Sequence, residues 1–144
     1  MDHVEYVYTS GMSESEVERS LRAGEHGVLA LARDDDAYAI PLSYHYDGER
    51  VLLRVSDHEG PTEKGAFLDS TDRATFVCYE ASTDESWSIQ VRGPVERLEE
   101  TPDEATVNRW FPPFRLFDEA VEDVTFDLYA LGMETVVGRT TVDR

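Results

Sequence analysis

Four residues near the middle of the chain carry side chains suited to binding an anion. Arg54 and Ser56 share one face of a predicted strand, and Thr62 and Lys64 fall in the first turn of the helix predicted to follow it. The exposed N–H groups and the positive dipole end of a helix N-terminus favour phosphate groups. Lys64 is the single lysine of the chain, and every other basic residue is an arginine. We therefore expect Lys64 and its three neighbours to bind a phosphate group.

The sequence carries none of the common catalytic signatures. It has no Gly-x-Gly-x-x-Gly, Walker A, Gly-x-Ser-x-Gly or His-Glu-x-x-His pattern. Its histidines lack the spacing of metal ligands and are His3, His26, His45 and His58. Cys78 is the only cysteine, and its apolar neighbours predict a small buried side chain. We expect no metal site, and no residue stands out as a catalytic acid, base or nucleophile.

The charge balance excludes several classes of partner. With 31 Asp and Glu against 13 Lys and Arg, the formal net charge is −18, which repels nucleic acids and anionic membranes. The acids are spread along the chain rather than gathered in a tail, as in a protein whose whole surface must stay hydrated in concentrated salt. We expect a halophilic protein; the alternative is an acidic protein from an ordinary environment. No apolar run is long enough to span a membrane and no signal peptide is present, which predicts a soluble, cytoplasmic protein.

The first part of the chain predicts one helix followed by three strands. Ser13 and Glu16 form a capping box and Gly24 follows the last turn, which places a helix over residues 13–23. The pattern then changes to the alternation typical of β-strands, with turn signals between them. Predicted strands cover residues 27–33, 37–46 and 50–56. Because short turns join them, we expect three antiparallel neighbours.

The second part predicts two short helices and four further strands. Gly60-Pro61 opens a helix that ends near Ser70, and the capping box Thr101-Pro-Asp-Glu104 starts one that ends by Phe111. Predicted strands cover residues 74–80, 87–98, 124–131 and 134–142, with Gly93-Pro94 interrupting the second of these. No linker divides the chain, so residues 1–144 form a single, mainly β domain. We expect about six to seven antiparallel strands in a barrel or curled sheet.

The segment from Ile40 to Leu98 resembles the FMN-binding split-barrel family, which includes pyridoxamine 5′-phosphate oxidase and the nitroimidazole-reductase-like proteins. The matching motifs, in the family's order, are Ile40-Pro-Leu-Ser-Tyr44, Asp47-Gly48, Val51-Leu-Leu-Arg-Val-Ser56, Thr62-Glu-Lys64, Ala74 to Tyr79 and Trp87-Ser-Ile-Gln-Val-Arg-Gly93. The resemblance implies a split β-barrel with short flanking helices.

The resemblance also implies a site for flavin mononucleotide (FMN) at the interface of a homodimer. In the family, one subunit holds the phosphate and the flavin ring, and the second subunit reaches the cofactor across the interface. The residues so implied are Arg54, Ser56, Thr62 and Lys64 for the phosphate; Pro41, Leu42, Ser43 and Tyr44 for the ring; and Trp87, Ser88 and Gln90 from the second subunit.

Two departures from the family pattern bear on the substrate. Glu63 stands where many oxidases carry a basic residue, and the segment rich in Arg and His that binds pyridoxamine phosphate has no counterpart after Gly138. The resemblance therefore implies an FMN-dependent oxidoreductase acting on a small molecule other than pyridoxamine phosphate. Three alternatives stay open: a reductase using an 8-hydroxy-5-deazaflavin coenzyme, a flavin- or haem-binding protein without turnover, and an acidic mimic of nucleic acid.

We predict that the stability of the fold increases with salt concentration. Repulsion among the excess carboxylates opposes the compact state, and added ions screen it. Thermal unfolding followed by circular dichroism should give a midpoint that rises between about 0.1 M and about 3 M potassium chloride, because the screening length falls from about 10 Å to about 3 Å or less over this range. A midpoint that stays constant over this range would contradict the halophilic interpretation.

Overall fold

The computed structural model describes residues 9–57, 63–100, 102–111 and 125–141. Within these ranges the chain forms nine strands and three helices. In chain order they are β1 (Thr9–Gly11), α1 (Glu14–Ala23), β2 (His26–Arg33), β3 (Asp36–Tyr46), β4 (Arg50–Asp57), α2 (Glu63–Ser70), β5 (Ala74–Ala81), β6 (Ser86–Gly93), β7 (Val95–Arg97), α3 (Glu104–Trp110), β8 (Thr125–Gly132) and β9 (Thr135–Thr141).

The strands form one antiparallel sheet that curls into a barrel. Their order across the sheet is β1-β9-β6-β5-β2-β3-β4-β8-β7. Strands β6 and β7 are separated only by Pro94, yet β6 pairs with β5 whereas β7 pairs with β8. One continuous stretch of chain therefore joins both ends of the series β5-β2-β3-β4-β8 and closes the ring, and β9 and β1 extend from the side of β6.

The closure depends on a close approach of two backbone segments. The N–H of Gly132 donates to the carbonyl of Pro94 at 2.9 Å, and the N–H of Glu134 donates to the carbonyl of Arg92 at 3.0 Å. A Cβ atom at Gly93 would overlap the carbonyl oxygen of Gly132. Only glycine fits there, and Pro94, which has no N–H, stands where the strand changes partners.

The inner face of the barrel forms the main hydrophobic core. Leu29, Phe76 and Ile89 are fully buried there, and α1 closes one end of the barrel. The hydroxyl of Tyr44 donates to the carbonyl of Leu21 in α1 at 2.8 Å, which ties the helix to β3. Burying a tyrosine hydroxyl is favourable only when it finds such a partner.

A second, smaller core lies on the outer face of β4 and β8. Leu52 and Leu128 project away from the barrel interior and are covered by Val107 and Phe111 at α3. This cluster explains why Val51, Leu52 and Leu53 are all buried instead of alternating. The apolar run of β4 has a hydrophobic neighbour on each side.

The structure confirms the predicted mainly β split barrel and each of the seven predicted strands. The strand predicted over 87–98 is divided into β6 and β7 at Pro94, and the short β1 is an addition. The helix predicted over 13–23 is confirmed together with its capping box, since Ser13 and Glu16 exchange bonds of 3.2 and 3.1 Å. The predicted opening of the second helix at Gly60-Pro61 lies outside the described residues, and α2 is described from Glu63.

The start of the third helix differs from the prediction. Its N-cap is Asp103, whose carboxylate accepts a hydrogen bond of 2.8 Å from the N–H of Thr106. The predicted box placed the cap at Thr101, which lies outside the described residues. Aspartate caps a helix as well as threonine does, so two caps were available within three residues.

We predict that Gly93→Ala destabilises the protein by about 3 kcal/mol or more, because the new methyl group meets backbone that cannot move without opening the barrel. Gly11→Ala is the matched control: a Cβ atom there meets nothing within 4 Å, and its effect should be close to zero. Chemical denaturation of both variants in the same salt measures the difference. Equal stabilities would show that the Gly93 contact does not limit closure.

Candidate functional site

Strands β3 and β4 separate at the point where the predicted ring-binding and phosphate-binding residues meet. The pairs between them run from Tyr46 and Val51 to Tyr44 and Leu53, and no pair is described beyond this one. Ser43 and Arg54 are the next residues on the two strands. From there β3 continues beside β2, and β4 continues beside β8. The separation leaves one edge of each strand without a neighbouring strand among the described residues.

Pro41 suits this open edge of β3. The N–H of Tyr44 donates to the carbonyl of Glu25, on the side of β2. Because backbone groups alternate in direction along a strand, the backbone of Pro41, opposite Val28, points to the other side, where β4 has left. Proline has no N–H to donate, so it removes no ladder bond there. The backbone carbonyls of Pro41 and Ser43 line the open edge.

Arg54 carries a positive charge at this separation. Its side chain is half-buried and lies on the same outer face of β4 as Leu52. Partial burial lowers the pKa of Arg54, although a guanidinium group remains protonated at any physiological pH. Further along the outer face, His45 stacks on Trp110 of α3 with ring centroids 5.0 Å apart. Helix α3 therefore covers the outer face on one side of Arg54.

The other predicted residues of β3, β4 and α2 lie as follows. The side chains of Leu42 and Tyr44 are buried in the barrel core, so only their backbone could meet a ligand at the open edge. Lys64 lies in the first turn of α2, and the backbone of Ser56 lies on β4. Thr62 and the side chains of Ser56 and Lys64 lie outside the described part of the chain.

The three residues predicted to act from a second subunit lie on β6. Ser88 and Gln90 project outwards, whereas Trp87 lies on the inner side, where its indole N–H donates to Glu80 at 3.1 Å. Gln90 shares a cross-strand row with Val77, Val28 and Pro41. Three strand spacings separate Gln90 from Pro41, about 14 Å. Within one chain, Gln90 and the open edge of β3 are too far apart to hold the same small ring.

The outer face of five strands carries no acidic residue. Taking alternate positions on β2, β3, β5, β6 and β9, over the length where these strands pair with one another, gives four outward residues from each strand; the next outward residue of β3, His45, lies against Trp110 of α3 and is not counted. They are His26, Val28, Ala30 and Ala32; Ala37, Ala39, Pro41 and Ser43; Thr75, Val77, Tyr79 and Ala81; Ser86, Ser88, Gln90 and Arg92; and Thr135, Val137, Arg139 and Thr141. We call this surface the acid-free face.

The acid-free face contrasts with the rest of the chain. Its charged side chains are two arginines, in a protein with a net charge of −18. Two large apolar side chains of this surface are well exposed, Tyr79 at 63% and Val137 at 50%. Because carboxylates are frequent elsewhere in the chain and missing from this face, we infer that the face has a different environment from the rest of the surface.

The sequence analysis named Pro41, Ser43, Ser88 and Gln90, which lie on this face, but did not name Val77, Tyr79 and Val137. The signal that could have found them was present. The outward alternation of the predicted strands 27–33, 37–46, 74–80 and 134–142, and that of 87–98 up to Gly93, lacks carboxylates, and this becomes visible when the strands are aligned side by side. The order of strands across the sheet, which places these positions together, could not be obtained from alternation alone.

Three further observations concern the described residues. They include no group of three or more His, Cys, Asp or Glu side chains placed to hold a metal ion. None of their helices is long and apolar enough to cross a membrane. Cys78 is buried as expected, and its burial raises the pKa of the thiol to about 11.

Comparison with known proteins decides the family. A family model described as pyridoxamine 5′-phosphate oxidase matches residues 13–140. The chain belongs to this family. A curated relative, an uncharacterized protein of Rhizobium meliloti (strain 1021), is 26% identical over 96 residues, which are 66% of this chain and 61% of that protein. The matched region therefore spans about three-fifths of the relative's length.

Several solved structures have the same fold. A FAD-binding protein from Mesorhizobium loti superimposes with a TM-score of 0.69 at 20% identity, covering 96% of this chain and 100% of that one. A FAD- and haem-binding protein from Mycobacterium smegmatis gives 0.63 at 14% identity, covering 94% and 74%. A protein from Bacteroides thetaiotaomicron, named as a candidate for 5-nitroimidazole antibiotic resistance, gives 0.68 at 15%, covering 98% and 95%. At these identities the likeness establishes the fold.

Proposed function

We propose that this family member is a homodimeric FMN-binding flavoprotein that acts as an oxidoreductase on a small molecule. The observation that carries the proposal is the acid-free face beside the separation of β3 and β4. This region of the protein combines the half-buried cation Arg54 on β4, the open backbone edge of β3 and an apolar surface that lacks carboxylates. A flavin phosphate and a flat aromatic ring require these features together.

The phosphate would be held at the side of β4 and α2. Arg54 supplies a permanent positive charge whose partial burial strengthens its attraction for an anion. Lys64 in the first turn of α2, with Ser56 and Thr62, would add a second charge and hydroxyl donors. The lack of carboxylates on the neighbouring face removes the repulsion that an anion would meet elsewhere on this protein.

The flavin ring would lie along the open edge of β3. Backbone groups between Pro41 and Tyr44 would contact the polar edge of the ring, and the apolar outer face would support its flat surface. When bound, the flavin itself carries hydride or electrons, and the protein supplies binding, orientation and electrostatics.

A second copy of the chain would complete the site. Within one chain, Pro41 and Gln90 are about 14 Å apart, or about three strand spacings. In a two-fold dimer, β6 of the partner subunit can lie over β3 and bring the two residues close together. Ser88 and Gln90 of one subunit would then face the flavin held by the other. Trp87 would contribute through the end of β6, since its indole lies on the inner side.

Binding without turnover is the second candidate function. Apart from one histidine, His26, the acid-free face carries no carboxylate, thiol or lysine side chain, so it offers few groups for proton transfer to a substrate. A flavin or haem carrier needs no such group, and neither does a deazaflavin enzyme that transfers only hydride. Reduction of the purified protein followed by exposure to oxygen or a dye acceptor separates a carrier from an oxidoreductase by rate, and the absorption spectrum identifies the chromophore.

We predict that Lys64→Ala and Arg54→Ala each weaken FMN binding by roughly 10- to 150-fold, the loss of one charge-assisted contact of about 1.5 to 3 kcal/mol. Fluorescence titration measures it. Riboflavin, which has no phosphate, is the control: it should bind the wild type weakly and respond little to either change. Wild-type FMN affinity in both variants, or an equal loss of riboflavin binding, would contradict the assignment of the phosphate site.

We predict that Val137→Glu weakens dimerisation by more than about tenfold, because it adds a carboxylate to an exposed position of the acid-free face, where the partner subunit would remove it from water. Ala105→Glu is the matched control. It adds the same charge at an exposed position of α3, away from the acid-free face, and should leave the dimer intact. Light scattering in concentrated salt gives the mass of both variants. A dimer unaffected by Val137→Glu would place the interface elsewhere.

A further inference from the structure

A cavity of about 390 Å³ lies between the C-terminal end of α1 and the β5–β6 hairpin. Ser20 and Ala23 of α1 line one side of it, and Glu80 of β5 and Trp87 of β6 line another. Its size falls within the range of about 300 to 1,000 Å³ that small-molecule sites occupy. The indole of Trp87 lies on the inner side of β6, opposite to the outward side chain of Gln90, so the cavity is separate from the proposed flavin site.

An aromatic ring and a carboxylate are held together in the wall of the cavity. Trp87 lies directly opposite Glu80 in the β5–β6 ladder, and its indole N–H donates to the Glu80 carboxylate at 3.1 Å. A carboxylate has about four lone-pair positions, so accepting this bond leaves it able to attract a positive charge. The ring of tryptophan attracts cations more strongly than any other side-chain ring, at up to about 6 Å from its centre. A single cation in the cavity could therefore interact with both groups.

The end of α1 adds negative charge to the same cavity. Glu25, two residues after the helix, contributes a second carboxylate to the lining. The C-terminal end of a helix also carries the partial negative charge of the aligned peptide dipoles. Arg22, the basic residue of the last turn, is engaged elsewhere: it pairs with Glu18 at 3.0 Å, and its guanidinium lies over the ring of Tyr46. Its charge is therefore directed away from the cavity.

Arg19 contributes a positive charge at the boundary of the cavity. It also lines a neighbouring hollow on α1 together with Glu18. Hydrogen bonds from Ser13 lower the pKa of Glu16, and the charge of Arg19 adds to this effect, so the two side chains attract each other. Two carboxylates and the end of the helix dipole outweigh this one guanidinium, and the net charge of −18 attracts cations to the protein as a whole. The cavity therefore favours a positively charged ligand.

We propose that this cavity binds a small organic cation, whose substituted ammonium group packs against Trp87 and lies beside the carboxylate of Glu80. An alkylated ammonium group joins a positive charge to apolar methyl or methylene groups, which match an aromatic ring and the methyl group of Ala23. A divalent metal ion requires several protein ligands, and the described residues contain no cluster of three or more His, Cys, Asp or Glu side chains placed to supply them. The site is present whether or not the protein binds flavin.

The test compares choline with 3,3-dimethyl-1-butanol, an alcohol of the same shape without the charge. Each is titrated into the full chain in concentrated salt at constant ionic strength, and the indole N–H signals of the two tryptophans are followed by nuclear magnetic resonance. Trp110→Phe assigns the two signals. We expect choline to shift the Trp87 signal to saturation, with or without FMN, and the alcohol to bind about tenfold or more weakly, because it lacks the cation–π contact and the attraction to Glu80.

Two results of this titration would overturn the proposal: a Trp87 signal that choline does not shift, and equal affinities for the two compounds. Loss of FMN binding by the same sample would count against the flavin proposal alone. If Trp110→Phe does not fold, the affinities of the wild type for the two compounds still decide.

A pair of variants on the β5–β6 hairpin locates the site. Glu80→Gln removes the charge beside Trp87 and keeps an oxygen that can accept the indole N–H. It should weaken choline binding by roughly two- to fivefold, the range of an exposed ion pair, and leave binding of the alcohol unchanged. Glu85→Gln makes the same change at an exposed position of the hairpin that does not line the cavity, and should change neither affinity. Unchanged choline binding in Glu80→Gln, or an equal loss in both variants, would overturn the placement.

Discussion

The contact between the backbones of Gly93 and Gly132 is the constraint on which the rest of the structure depends. It lets one stretch of chain pair first with β5 and then, past Pro94, with β8, so that an open series of strands becomes a ring. The ring gives the chain a single enclosed core lined by residues such as Leu29, Phe76 and Ile89. It also gives every strand an outer face, and the side chains on that face are not constrained by packing in the barrel interior. The outer faces then differ because α3 packs on β4 and β8, whereas the outward positions of β2, β3, β5, β6 and β9 form the acid-free face.

The acid-free face differs from the rest of the surface in its charge. A protein with 31 acidic residues places none of them at the outward positions of five neighbouring strands, whereas its hairpin turns carry groups such as Asp34, Asp35 and Asp47. Electrostatic repulsion would oppose the approach of two copies of this chain over most of its surface. The acid-free face is the surface on which that opposition is least, and it lies next to Arg54 and the open edge of β3. The proposed dimer and the proposed cofactor site therefore share one physical cause.

Most of the fold could be predicted from local sequence patterns. The capping box at Ser13, the turn at Asp47-Gly48 and the break at Gly93-Pro94 each fix the chain over a few residues, and the structure places an element boundary at each. What local patterns could not give was the pairing of distant strands. The change of partner at Pro94 and the second core around Leu52 depend on contacts between residues far apart in the chain. The cap of α3 was misplaced because Thr101 and Glu104 match the capping-box spacing, whereas the helix begins at Asp103, an N-cap residue that is intrinsically stronger than threonine.

The candidate site was less predictable than the fold. The resemblance to a family located the region, but the side chains of Leu42 and Tyr44 belong to the barrel core, and the indole of Trp87 lies on the opposite side of β6 from Gln90. Alternation along β3 and β6 could have separated these inward side chains from the outward ones. The distance between Pro41 and Gln90 required the order of strands across the sheet. Because of that distance, Gln90 can contact a flavin at the open edge of β3 only from a second subunit.

The central claim is that flavin binding and pairing of the acid-free face are one event. Sedimentation velocity in concentrated salt, recorded at the visible absorption of the flavin over a range of protein concentrations, tests it most directly. The account predicts that the flavin absorbance sediments with the dimer at every concentration, and that dilution to monomer releases free flavin. Flavin that sediments with a monomer would contradict the account.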